Sequence, residues 1–160
     1  MMAAAGGTQF PMRRSPGKTS TSVPLPRGGS WRRALVYWGP VAAVGALIVA
    51  VSSIPGARLD FQLIRHADKL AHLSIFGVLG LLLLRAMART TRLAPAARVV
   101  VAVALVAAFG VTDELHQMLV PGRTAEVADV AADATGALLG CLLFWAGGRL
   151  ARWRAGRRAS

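Results

Sequence analysis

A single cysteine in 160 residues excludes an intrachain disulfide and a cysteine-based metal cluster. That residue, Cys141, lies in the apolar stretch Gly136 to Trp145 and reads as a small packing group. Acidic residues are scarce as well, seven against nineteen Lys and Arg. Charged residues together make up only 16% of a chain that is 54% hydrophobic. This balance argues against an ordinary soluble domain and points to the bilayer as solvent. A net charge of +12 would suit nucleic acid if it lined a soluble domain, but the basic residues fall in tails and loops between apolar runs. Topology accounts for them, and no nucleic-acid partner is expected. There is also no G-x-S-x-G elbow, Walker loop, Rossmann fingerprint or H-E-x-x-H pair, so no familiar reaction is signalled.

What is present is a succession of apolar runs. Residues 1–30 are rich in Gly, Pro, Ser and Thr, carry Arg13, Arg14, Lys18 and Arg27, and read as a disordered basic tail. Ala34 to Ser53 is uncharged and about 20 residues long, the length that crosses a hydrocarbon layer of roughly 30 Å at about 1.5 Å per residue. Its long basic approach makes it an uncleaved signal anchor. Pro55 and Gly56 stop it, and Leu70 to about Ala88 forms a second span. Four arginines surround Pro95 in the next loop, and Val99 to Thr112 forms a third span whose last turns carry Asp113 to Gln117. After Pro121 and Gly122, Thr124 is expected to cap a fourth helix with Glu126 in its first turn, running to about Leu150. The expectation is an all-α integral membrane protein: a four-helix transmembrane bundle at 31–150 between basic cytoplasmic tails at 1–30 and 151–160.

Fifteen of the nineteen basic residues fall in the two tails and the loop from Arg85 to Arg98, while all seven acids fall on or near the opposite side. The positive-inside rule then places both termini in the cytoplasm. Asp68 and His72 are four residues apart on the second helix, Asp113 stands three and four before His116 and Gln117, and Asp129 and Asp133 are four apart on the fourth. The polar ends of three helices are thereby expected on one membrane face. Ionisable groups at helix centres cost about 2.5–3.5 kcal/mol each on insertion, which favours inward-facing, mutually paired side chains. Salt bridges and helix caps are the structural alternative to a site. His72, His116 and the carboxylates of Asp113, Glu114 and Asp129 are ligand types suited to a divalent ion, but without a closely spaced pair no metal is assigned and the cofactor is left unknown. His66 reads as a solvated loop residue. Gly136 and Gly140 form a G-x-x-x-G step suited to close helix contact, within the bundle or between protomers, so a homo-oligomer is open.

Three blocks make the chain resemble the VanZ family of bacterial membrane proteins. They are Asp68-Lys-Leu-Ala-His72 running into Phe76-Gly77, Thr112-Asp-Glu-Leu-His-Gln117 leading to Pro121-Gly-Arg123, and Asp129-x-x-x-Asp133-x-x-Gly136. The last block often carries Asn where this chain has Asp133. The resemblance implies a multi-pass protein of the bacterial cytoplasmic membrane and a link to glycopeptide resistance, especially to teicoplanin; it implies no defined reaction. Two functions are compatible with the residues. One is binding of a lipid or lipid-linked cell-wall precursor at the extracytoplasmic face, using Lys69 and Arg123 with Asp68, His72, Gln117, Asp129 and Asp133. The other is a membrane-embedded enzyme with Asp113, Glu114 and His116 as catalytic groups.

Overall fold

The computed structural model describes residues 30–56 and 67–158. The N-terminal tail and the expected loop position of His66 lie outside these residues. Four helices are described: α1 (Ser30–Ser52), α2 (Ala67–Thr90), α3 (Pro95–Gln117) and α4 (Val127–Arg158). Each is long and apolar enough to cross a membrane, and the described residues contain no strand. Leu35, Val100, Leu105, Leu139 and Leu143 all point outward. In water such a surface would drive aggregation; in a bilayer it meets lipid.

Several helix ends differ from expectation. Pro95 opens α3 instead of sitting in the loop before it, because a proline at the first helical position gives up an N–H that would have no partner there. Ala94 before it is extended, at φ −61° and ψ 150°, as a residue preceding proline must be. At the other extreme α4 does not stop near Leu150 but continues to Arg158. Its last stretch is mostly Ala and Arg, strong helix formers. The 32 residues of α4 extend about 48 Å, so these arginine-bearing turns reach beyond a hydrocarbon layer of about 30 Å.

Helix α2 packs against all three others, most extensively against α4, which runs parallel to it. Small residues make that contact. Gly77 and Gly80 of α2 face Gly136, Ala137 and Gly140 of α4 so closely that a Cβ on Gly136 would strike the Leu73 carbonyl and one on Gly140 the Gly77 carbonyl. The G-x-x-x-G step is thus used inside the protomer. Cys141 follows it, buried, with Sγ 3.6 Å from the Gly80 carbonyl oxygen. Phe76, Leu83, Leu84, Met87, Ala102 and Val106 fill the adjoining core. Helix α1 stands at the edge, with only Ile48 and Ser52 fully buried along its described length.

The two loops at one end of the bundle are tied together. The Gly56 N–H donates to the Pro121 carbonyl at 3.1 Å. Gly122 follows at φ 74°, a left-handed conformation that favours glycine. Gly56 is equally constrained, since a Cβ there would strike the Gly122 carbonyl. This junction sets the end of α1 beside the turn that leads into α4. Gly140→Ala is expected to destabilise the bundle by about 1–3 kcal/mol through overpacking. Gly147, where an added methyl group would meet nothing within 4 Å, should accept Ala with a change below about 1 kcal/mol. Reversible denaturation of the two variants in detergent measures the contrast.

Candidate functional site

Four helix ends meet here: the last turns of α1 and α3 and the first turns of α2 and α4. A helix buries side chains spaced three or four apart, and at this end those positions carry Ser52, Asp113, Gln117, Asp129 and Asp133 in place of aliphatic groups, with His72 half-buried among them. Beneath them Phe76, wholly buried, forms the apolar floor. Its ring lies nearly parallel to that of His72, with centroids 5.8 Å apart, and tilts against Phe109 at 6.0 Å.

The polar groups fall into two sets. Between α1 and α3, the Ser52 hydroxyl donates to Asp113 Oδ2 at 2.7 Å and the Gln117 amide donates to the same oxygen at 3.0 Å. All three residues are buried. Between α2, α3 and α4, His72 Nδ1 meets Asp133 Oδ1 at 3.0 Å. Asp133 is fully buried and packs on Gly110 of α3, where a Cβ would strike its carboxylate. Lys69 Nζ sits among three carboxylates, 2.7 Å from Glu126, 3.2 Å from Asp68 and 3.3 Å from Asp129. The Glu126 N–H donates to Glu114 Oε2 at 2.8 Å.

This last bond corrects the expected start of α4. Thr124 does not begin the helix; the first regular residue is Val127, and the Glu126 carbonyl accepts from the Asp129 N–H at 2.9 Å. Glu126 is held before the helix rather than in its first turn because its N–H is committed to Glu114 and its carboxylate to Lys69.

Arg123 closes the loop end. Its Nε donates to the Ile54 carbonyl just past α1 and its Nη2 to the Val51 carbonyl in the last turn of α1, both at 3.3 Å, the Val51 carbonyl also accepting from the Ile54 N–H at 3.1 Å. Among the described residues Arg123 forms no ion pair. It lines a cleft of about 230 Å³ together with Leu47, Ile48 and Val51 of α1 and Ile75 and Phe76 of α2; Asp68, His72, Asp113 and Gln117 reach the same space.

The three residues expected to be catalytic are therefore separated. Asp113 faces α1, Glu114 faces α4, and His116 Nε2 lies 2.9 Å from the Ser53 hydroxyl on the exposed side. Of the two helix histidines, His72 is the one inside the carboxylate cluster. Sequence reasoning missed Ser52 and Ser53; their signal was a pair of hydroxyls closing an otherwise apolar run.

A family model described as VanZ/LLP1 matches residues 14–151. The chain belongs to the VanZ/LLP1 family. Comparisons with curated proteins and with solved structures returned no match. Family membership and the four apolar helices together make it a multi-pass membrane protein. The three blocks Asp68–His72, Thr112–Gln117 and Asp129–Gly136 all contribute to one end of this VanZ/LLP1 bundle.

Ser52→Ala removes a donor from a buried carboxylate and is expected to cost about 1–3 kcal/mol in detergent unfolding. Ser53→Ala, at an exposed hydroxyl, should cost less than about 0.5 kcal/mol.

Proposed function

We propose that this VanZ/LLP1 protein binds a cell-envelope lipid or lipid-linked wall precursor at the extracytoplasmic end of its bundle, in a bacterial cytoplasmic membrane. The observation that carries this reading is the cleft: an apolar flank from α1 and α2 with Arg123, free of carboxylate partners among the described residues, at its loop end. An acyl or prenyl chain suits the flank. An anionic headgroup suits the guanidinium, whose fork of donors matches phosphate oxygens. Lys69, shared among three carboxylates, serves to hold α2 to the start of α4 and offers less to an anion. The side assignment follows from charge, since Arg32, Arg33, Arg89, Arg92 and Arg149 all belong to the opposite end. A site of this kind at the outer leaflet is where a link to teicoplanin resistance would act, through the supply or form of lipid-linked precursors.

The His72–Asp133 pair favours a second reading, a membrane-embedded enzyme. A buried carboxylate that fixes an imidazole is the arrangement of an oriented general base, and Glu114 and Asp129 stand beside it.

The test is binding of polyprenyl phosphate and of a lipid-linked wall precursor to the purified chain. Arg123→Ala should weaken binding about ten- to a hundredfold, the loss of a charge-assisted hydrogen bond. Unchanged affinity in a folded variant would refute the site. Turnover of the bound lipid that stops in His72→Gln, with binding kept, would establish the enzymatic reading.

A further inference from the structure

Three buried carboxylate oxygens at the polar end, Asp113 Oδ1, Glu114 Oε1 and Asp133 Oδ2, have no hydrogen-bond partner among the described residues, while Asp129 Oδ1 meets the Lys69 ammonium at 3.3 Å. Glu114 and Asp129 belong to a compact donor set. One ring nitrogen of His72 and one carboxylate oxygen each of Glu114 and Asp129 lie within 4.8 Å of one another. Glu114 and Asp129 are only 5% and 6% exposed. A buried carboxylate with an unused oxygen is costly in a dry setting unless a cation or a proton meets it. Lys69 does not fill this role for Glu114. Its ammonium sits in the neighbouring trio of Asp68, Glu126 and Asp129, where it reaches Asp129 Oδ1 at 3.3 Å.

We propose that His72, Glu114 and Asp129 form a binding site for a first-row divalent cation of the zinc or manganese type. One imidazole nitrogen and two carboxylates are a borderline donor set for such ions. Asp133 is the positioning residue. It holds His72 Nδ1 at 3.0 Å, and a neutral ring that donates its Nδ1–H in a hydrogen bond to a carboxylate keeps a lone pair on Nε2 for a metal. Phe76 stacks against the same ring and limits its rotation. Three protein ligands leave a coordination position open to water or to a phosphate oxygen. In supplying positive charge beside an acid-rich cleft the ion serves the proposed headgroup site and to that extent rests on that reading. Metal binding itself does not.

The experiment uses the full chain in detergent, stripped with chelator, desalted and titrated with Zn²⁺ or Mn²⁺ alone, without lipid, with elemental analysis for stoichiometry. The expected result is one ion per chain. Affinity should fall at least about tenfold in His72→Ala and Glu114→Gln, and about ten- to a hundredfold in Asp133→Asn, as for loss of a group that orients a ligand. His116→Gln should bind as wild type. Helix content and monodispersity are recorded for each variant, and if His72→Ala fails to fold, the isosteric Glu114→Gln decides. No retained ion, or wild-type affinity in Glu114→Gln, overturns the assignment. Loss of the ion in Glu126→Gln with retention in Glu114→Gln also overturns it, by placing the ion in the trio around Lys69. Lipid binding that persists in chelator would separate a failed metal site from a failed lipid site.

Discussion

The structure depends on how closely α2 and α4 can approach. Lipid chains are as apolar as leucine, so no hydrophobic force pulls two membrane helices together; packing and polar contacts must do so. Gly77 and Gly80 against Gly136, Ala137 and Gly140 let the two backbones touch. Because the helices run parallel, the same register carries upward by about one turn and sets His72 opposite Asp133. A larger side chain anywhere along this seam would part the two helices and separate that pair. Apolar packing in the middle of the bundle thus determines the chemistry at its end.

Helix α3 completes the arrangement by presenting different residues to different neighbours. Gly110 leaves room for the Asp133 carboxylate, Glu114 reaches the start of α4, and Asp113 and Gln117 turn toward Ser52 of α1. The polar end is therefore one network of two halves, joined through α3. Each half combines buried acids with too few donors, and the surplus of oxygens lies on the α2–α4 side and on Asp113. A purely structural cluster would be expected to satisfy itself. The leftover acceptors, the oriented imidazole and the adjoining apolar cleft together favour a place where something charged and something greasy meet.

Much of this was legible in the sequence. Four spans followed from the lengths of the apolar runs, and the gathering of polar helix ends followed from their antiparallel succession. The boundaries were less legible, because Pro95 can either break a helix or open one, and an Ala- and Arg-rich tail can be coil or helix depending on what precedes it. Periodicity identified which residues share a face but not which neighbour that face meets. It therefore placed His116 with Asp113, whereas the packing gives Asp113 to Ser52 and His116 to Ser53. Thr124 looked like a cap because its hydroxyl suits one, and the Glu126 N–H bond to Glu114 that shifts the helix start is a tertiary contact no local rule contains.

The central claim is that His72 and Asp133 are a directly coupled pair across the α2–α4 seam. A double-mutant cycle on detergent unfolding, with His72→Leu, Asp133→Leu and both together, measures that coupling. The predicted coupling energy is about 1–3 kcal/mol, as for residues in one buried network. Additivity within about 0.5 kcal/mol, the behaviour of distant independent sites, would contradict it.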